Sequence, residues 1–191
     1  VTEAELRRLA ANAAAAGQIA PADFDLIERS FAIGDTPVGA IAVPRPDIVA
    51  IPLEASLATA LEGALRSGHR RLLVYRDDLD NITGVVRLRD LAAAVGAGWP
   101  ATLAELQHPV LTVPETRLVL DVLRDMQSSG QHLAVVIDEH GGTSGIATVE
   151  DAVEQLVGEI DEGAAARAKP VRRLAPGRWD VDGAADLASL E

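Results

Sequence analysis

The sequence contains no cysteine, so disulfides, thiolate catalysis and cysteine-ligated zinc are excluded. Aromatic residues make up 3% of a chain that is 48% apolar, so its core must be assembled from Ala, Val, Leu and Ile. No run approaches the ~18–20 apolar residues of a membrane span, and no secretory leader is recognisable. Positive charge is scarce. Against 29 Asp and Glu stand 17 Lys and Arg, and the net charge of −12 argues against nucleic acid or an anionic membrane as partner. The four histidines lack metal-ligand spacing, and Asp77-Asp78-Leu79-Asp80-Asn81 lacks the spacing of a calcium loop, so no metal-ligating residues are assigned. P-loop, dinucleotide and nucleophile-elbow motifs are missing, and with them any sign of an enzyme.

What is present is a duplication. Gly145-Ile146-Ala147-Thr148-Val149-Glu150-Asp151 reads as a buried strand running into a helix, with Thr148 placed to cap it and Asp151 in its first turn. A helix start of this kind suits a phosphate or a ribose edge. The same pattern occurs as Gly84-Val85-Val86-Arg87-Leu88-Arg89-Asp90. Around each lie matching parts. Ile48–Pro52 corresponds to Val110–Pro114 as a short strand. Leu57, Leu61 and Leu65 correspond to Val119, Leu123 and Gln127 on helices stopped by Gly68 and Gly130. Leu72–Tyr75 corresponds to Ala134–Ile137 as a buried strand, and Asp77–Asn81 to Glu139–Gly142 as a hairpin turn. The offset is 62 residues at Pro52/Pro114 and Gly68/Gly130, and 61 at Gly84/Gly145 and Asp90/Asp151. An offset held this steadily marks an internal repeat.

The expected fold is α+β: two β-α-β-β-α units packed sheet to sheet, preceded by a helical arm. The arm rests on Leu6, Leu9 and Ala13 before Gly17, then on Phe24, Ile27 and Phe31 after Pro21. The expected boundaries are 1–35 for the arm as a connector, 36–97 and 104–160 for the units, 161–177 for a flexible linker, and 178–191 for the start of a further domain. Glu159, Asp161 and Glu162 read as a solvated acidic end. Val1, in place of Met, suggests a fragment.

Several strings together resemble a known family. They are Val43-Pro44-Arg45, Gly68-His69-Arg70-Arg71-Leu72-Leu73-Val74-Tyr75, Met126-Gln127, Ala134–Gly142, and Gly145–Asp151 continuing to Val157-Gly158-Glu159-Ile160. They resemble the CBS-domain pair, or Bateman module, of the CorC/HlyC and CNNM proteins of magnesium and cobalt transport. Ala42, Arg70, Leu73 and His140 depart from that family's usual residues. The resemblance implies a regulatory module on the cytoplasmic side of the cell membrane, a homodimer, attached to its own transmembrane domain. It implies ATP with Mg²⁺ between the two units. Asp151 would accept from the ribose hydroxyls, Thr148 would donate to ribose or phosphate, and Arg71, beside Arg70, would pair with phosphates. His69 would flank the adenine, and Val43 and Ala147 would line an apolar slot. The sister site has Arg87 where Thr148 stands, and its facing loop Gly130-Gln131-His132-Leu133 carries no arginine. One occupied site per chain is therefore expected, the one with Asp151. The alternative is a ligand-free dimerisation module.

Overall fold

The computed structural model describes residues 2–158, and the backbone of two strands at 171–175 and 178–181; structural statements below concern these residues. The chain divides into two compact units, residues 1–158 and 159–191.

Helices α1 (Glu3–Ala15) and α2 (Pro21–Gly34) open the chain. A capping box starts α1: the Thr2 N–H donates to Glu5 Oε2 at 2.9 Å and the Glu5 N–H to Thr2 Oγ1 at 3.3 Å. Pro21 starts α2, where its missing N–H costs nothing. Ile33, near the end of α2, is buried in a cluster with Val113, Val122, Met126 and Ala147. The arm therefore docks on the second repeat, not on the first that follows it in sequence.

The first repeat runs β1 (Val43–Pro44), β2 (Ala50–Pro52), α3 (Leu57–Ser67), β3 (Arg71–Arg76), β4 (Asp78–Arg87) and α4 (Leu88–Gly96). A short helix α5 (Leu103–Leu106) follows, across the boundary at 104 where the second unit was expected to begin. Its start carries a Thr-x-x-Glu capping signal: the Thr102 N–H donates to Glu105 Oε2 at 2.7 Å. Leu103 is fully buried in the first repeat's core. The second repeat runs β5 (Leu111–Pro114), α6 (Val119–Ser129), β6 (Leu133–Ile137), β7 (Thr143–Thr148) and α7 (Val149–Val157). Gly68 and Gly130 end α3 and α6 with left-handed φ of +73° and +66°, as the repeat predicts.

Two sheets result, ordered β2-β3-β4 and β1-β7-β6-β5. In each, a parallel pair (β2/β3, β5/β6) is followed by an antiparallel one (β3/β4, β6/β7). Leu73, Leu133 and Val135 form a cluster joined by Ile48, Ile82, Val110 and Ile146, which locks the sheets face to face. The helices cover the outer faces, with their own clusters around Leu72, Val86 and Leu91 and around Val136 and Val122.

Of the matched positions on α3 and α6, Val119 is buried and Leu57, Leu61 and Leu123 pack against the cores. Ala60 and Ala64 are buried on α3 and Val119, Val122 and Met126 on α6, whereas Leu65 is 64% exposed. Steps of four residues overshoot a 3.6-residue turn, so the third member of an i, i+4, i+8 series rotates out of the face.

In the second compact unit, β8 (Val171–Ala175) pairs antiparallel with β9 (Arg178–Val181). β9 begins at 178, where a further domain was expected to start. Val171–Ala175, however, is a strand where a flexible linker was expected, its register set by pairing Val171 with Val181. The acidic run from Glu159 to Glu162 lies outside the described residues.

Candidate nucleotide site

Each repeat's last strand runs straight into a helix, and the two junctions are built differently. At β7/α7 the Thr148 Oγ1 accepts from the Asp151 N–H at 3.2 Å, while Asp151 Oδ2 accepts from the Thr148 N–H and hydroxyl, both at 2.7 Å. The box is closed and both side chains are half-buried. At β4/α4 no side chain caps the helix. Asp90 instead meets His108 Nε2 at 3.1 Å and Arg89 Nε at 3.3 Å.

The strand pairing sets what stands beside each junction. Leu133 is the register partner of Thr148, and Arg71 is the register partner of Arg87. Directly opposed residues of an antiparallel pair share a face. Arg71 and Arg87 are therefore like charges side by side, both half-buried, and neither forms an ion pair among the described residues. A cleft of about 570 Å³ opens here, lined by Arg70, Arg71, Arg87, Leu88 and Arg89 of the first repeat and by Gly130 and His132 of the second. The His132 carbonyl accepts the Val149 N–H at 3.1 Å, which places this loop next to Thr148.

The residues singled out from the sequence thus fall into two groups. Val43, Ala147, Thr148 and Asp151 gather on and beside β7. Val43 pairs with Ile146, and Ala147 is 1% exposed in the second core, so its side chain faces that core and not an open slot. Arg70 and Arg71 line the cleft, and His69 is exposed beside them. Arg89 and His132 were not singled out. The signal for His132 was its place 62 residues after Arg70 in the repeat; Arg89 carried no such signal, its equivalent being Glu150.

Two further features hold the halves together. Val43 pairs antiparallel with Ile146, and His108 with Val85, so the segment leading into each repeat borders the other repeat's sheet. The duplicated glycines make this approach possible. A Cβ on Gly145 would lie 2.5 Å from the Val43 carbonyl oxygen, and one on Gly84 2.7 Å from that of His108. In addition, Arg45 forks onto Asp80 of the first hairpin, donating to Oδ1 and, at 3.2 Å, to Oδ2. Arg45 also donates to the Thr143 carbonyl at 3.0 Å, and the Thr143 N–H to Asp80 Oδ1 at 2.7 Å. The Arg45 guanidinium, then the Thr143 N–H, hold the Asp80 carboxyl below the usual carboxylate range.

The CBS domain model matches twice, over residues 38–97 and 103–158. The structure of the CBS domain of a bacterial CNNM/CorC family Mg²⁺ transporter superposes with a TM-score of 0.78 at 36% identity, covering 84% of this chain and 98% of that one. This chain is a CBS-domain pair of the CNNM/CorC family. Another structure of such a CBS domain, in complex with ATP, matches this pair with a TM-score of 0.69 at 35% identity, over 73% of this chain and all of that one. Among curated relatives, the UPF0053 protein Rv2366c of Mycobacterium tuberculosis is 35% identical over 185 residues, covering 94% of this chain and 42% of that protein. Hemolysin C of Rickettsia prowazekii is 35% identical over 142 residues, 73% of this chain and 46% of that protein. The CBS pair thus spans less than half the length of these relatives. No described helix is long and apolar enough to cross a membrane.

Proposed function

We propose that this CBS pair is the cytosolic regulatory module of a membrane Mg²⁺ or Co²⁺ transporter. It binds ATP with Mg²⁺ between its two repeats and couples occupancy to the arrangement of a homodimer. Its role is binding, not catalysis. The observation that carries this reading is the basic cleft between the repeats, in a chain of net charge −12, next to the Thr148–Asp151 junction. The ATP complex of a 35% identical relative supports it.

Asp151 would turn to the ribose and Thr148 to the ribose or a phosphate, while Arg70 and Arg71 take phosphate oxygens in guanidinium forks. Val43 and the backbone of Ala147 would bound the base, with His69 across from them. Among the described residues, no three His, Asp or Glu side chains are placed to hold a metal ion. Mg²⁺ would accordingly travel on the phosphates. ATP would act on the transporter through its preference for one dimer arrangement over another.

Calorimetric titration of the chain with ATP and Mg²⁺ tests this. Saturable heat at one site per chain, abolished by Asp151→Ala, is expected; no heat from a folded sample rejects the sensor. Sedimentation with and without ATP then reads the dimer. A ligand-free dimerisation module is the second reading. It is favoured by the closed Thr148–Asp151 box, in which each side chain already satisfies the other. That reading requires the same melting temperature with and without ATP.

A further inference from the structure

The feature the fold does not explain is the register pair Arg71/Arg87. Like charges directly opposed on neighbouring strands destabilise a sheet. Here they sit at the start of α4, whose dipole is positive at that end and whose N-terminus no side chain caps. The equivalent position of the other repeat holds the neutral pair Leu133/Thr148, with a closed cap. Arg70 adds a third guanidinium without an ion pair among the described residues, and Arg89 and His132 complete the basic wall. Asp90, in the first turn of α4, is already engaged by His108 and Arg89. Such a concentration of positive charge on an acidic protein offers an anion a seat between the arginines.

We infer that Arg87, together with Arg71, forms a cradle for the β- and γ-phosphates of a nucleoside triphosphate, and that Arg87 sets the preference for triphosphate over monophosphate. The inference rests on the nucleotide reading above and extends it to the repeat that lacks the capping hydroxyl. A nucleotide with its ribose at Thr148 and Asp151 has the His132 loop beside it, and its phosphate chain runs on into the arginines. A monophosphate would end short of Arg87. The degenerate junction is thus the polyphosphate half of a single site, not a vestigial second one.

The test compares ATP, AMP and inorganic tripolyphosphate on wild type and Arg87→Gln. Loss of one charge-assisted contact weakens ATP about ten- to a hundredfold, while AMP changes less than about threefold. The ligand-free variant melts higher than wild type at low salt, and the gap closes as salt screens the repulsion. Arg87→Thr, which recreates the Thr148 cap, serves if the glutamine variant fails to fold. Equal losses for ATP and AMP, or no loss for either, overturn the cradle. If no nucleotide binds wild type, the nucleotide reading falls and tripolyphosphate decides the cradle alone. Binding that is lost in the variant sustains it; binding that is unchanged or absent overturns it.

Discussion

The two strand-to-helix junctions started as copies and now solve different problems. At Thr148 the hydroxyl and Asp151 close a box, so the helix is capped from within and the junction is electrically quiet. At Arg87 the cap is gone, the equivalent aspartate is drawn off by His108 and Arg89, and two arginines face each other across the ladder. The difference shows how a duplicated fold separates duties. One copy keeps the local stabilising device, while the other accumulates charge that the folded chain alone has no use for.

The comparison can be broken first at the glycines, which both junctions share. Gly145→Ala is expected to destabilise the fold by about 3 kcal/mol, because its Cβ would meet a backbone carbonyl that cannot turn away. Gly84→Ala, with a slightly longer approach, is expected to cost about 2 kcal/mol. Urea midpoints at unchanged slope measure both, and a neutral Gly145→Ala would mean that Val43 does not cross as described.

Next come the caps. Thr148→Ala should cost about 1–2 kcal/mol in the ligand-free protein, whereas Arg87→Ala should cost nothing or stabilise. Equal losses at the two sites would erase the asymmetry. The smallest effect concerns the clip between the repeats. A carboxyl held low in the folded state adds stability above its unfolded value and loses it as pH falls through the folded one. Asp80→Asn should therefore lower the urea midpoint modestly at pH 7 and converge on wild type as pH falls below the ordinary carboxylate range, Asp80 and its partner Arg45 being exposed enough for salt to weaken the effect. A difference that persists undiminished in acid well below that range would assign the loss to hydrogen-bond geometry instead of charge.

Much of the fold was legible because the repeat multiplied weak signals. Gly68 and Gly130 at one offset, and Gly84 and Gly145 at another, located strands, helices and junctions that a single copy would have left ambiguous. The Thr148–Asp151 cap could also be read directly, from a hydroxyl three residues before a carboxylate. The crossing of Val43 onto β7 could not, since a two-residue strand carries no periodicity and its partner is remote in sequence. Helix α5 was hidden by its brevity, although its Thr102/Glu105 signal was present. The cleft was half visible. Arg70 and Arg71 stood out as a doublet, but the opposition of Arg71 to Arg87 depends on a hairpin register that a bulge near Tyr75 shifts. The docking of α2 on the second repeat depends on a choice between two similar surfaces, which composition does not make.

The crossed lead-in segments also order events in time. Val43 leaves the ribosome about a hundred residues before Ile146, the partner whose edge it must border. At ordinary synthesis rates of roughly 5–20 residues per second, that is a wait of about 5 to 20 s. During it the first repeat can pair β2, β3 and β4 and, once His108 has emerged, close its Gly84 edge, but its own lead-in has no seat. The nascent chain therefore carries an unseated lead-in segment until β7 is complete, and only then does either repeat reach its final form.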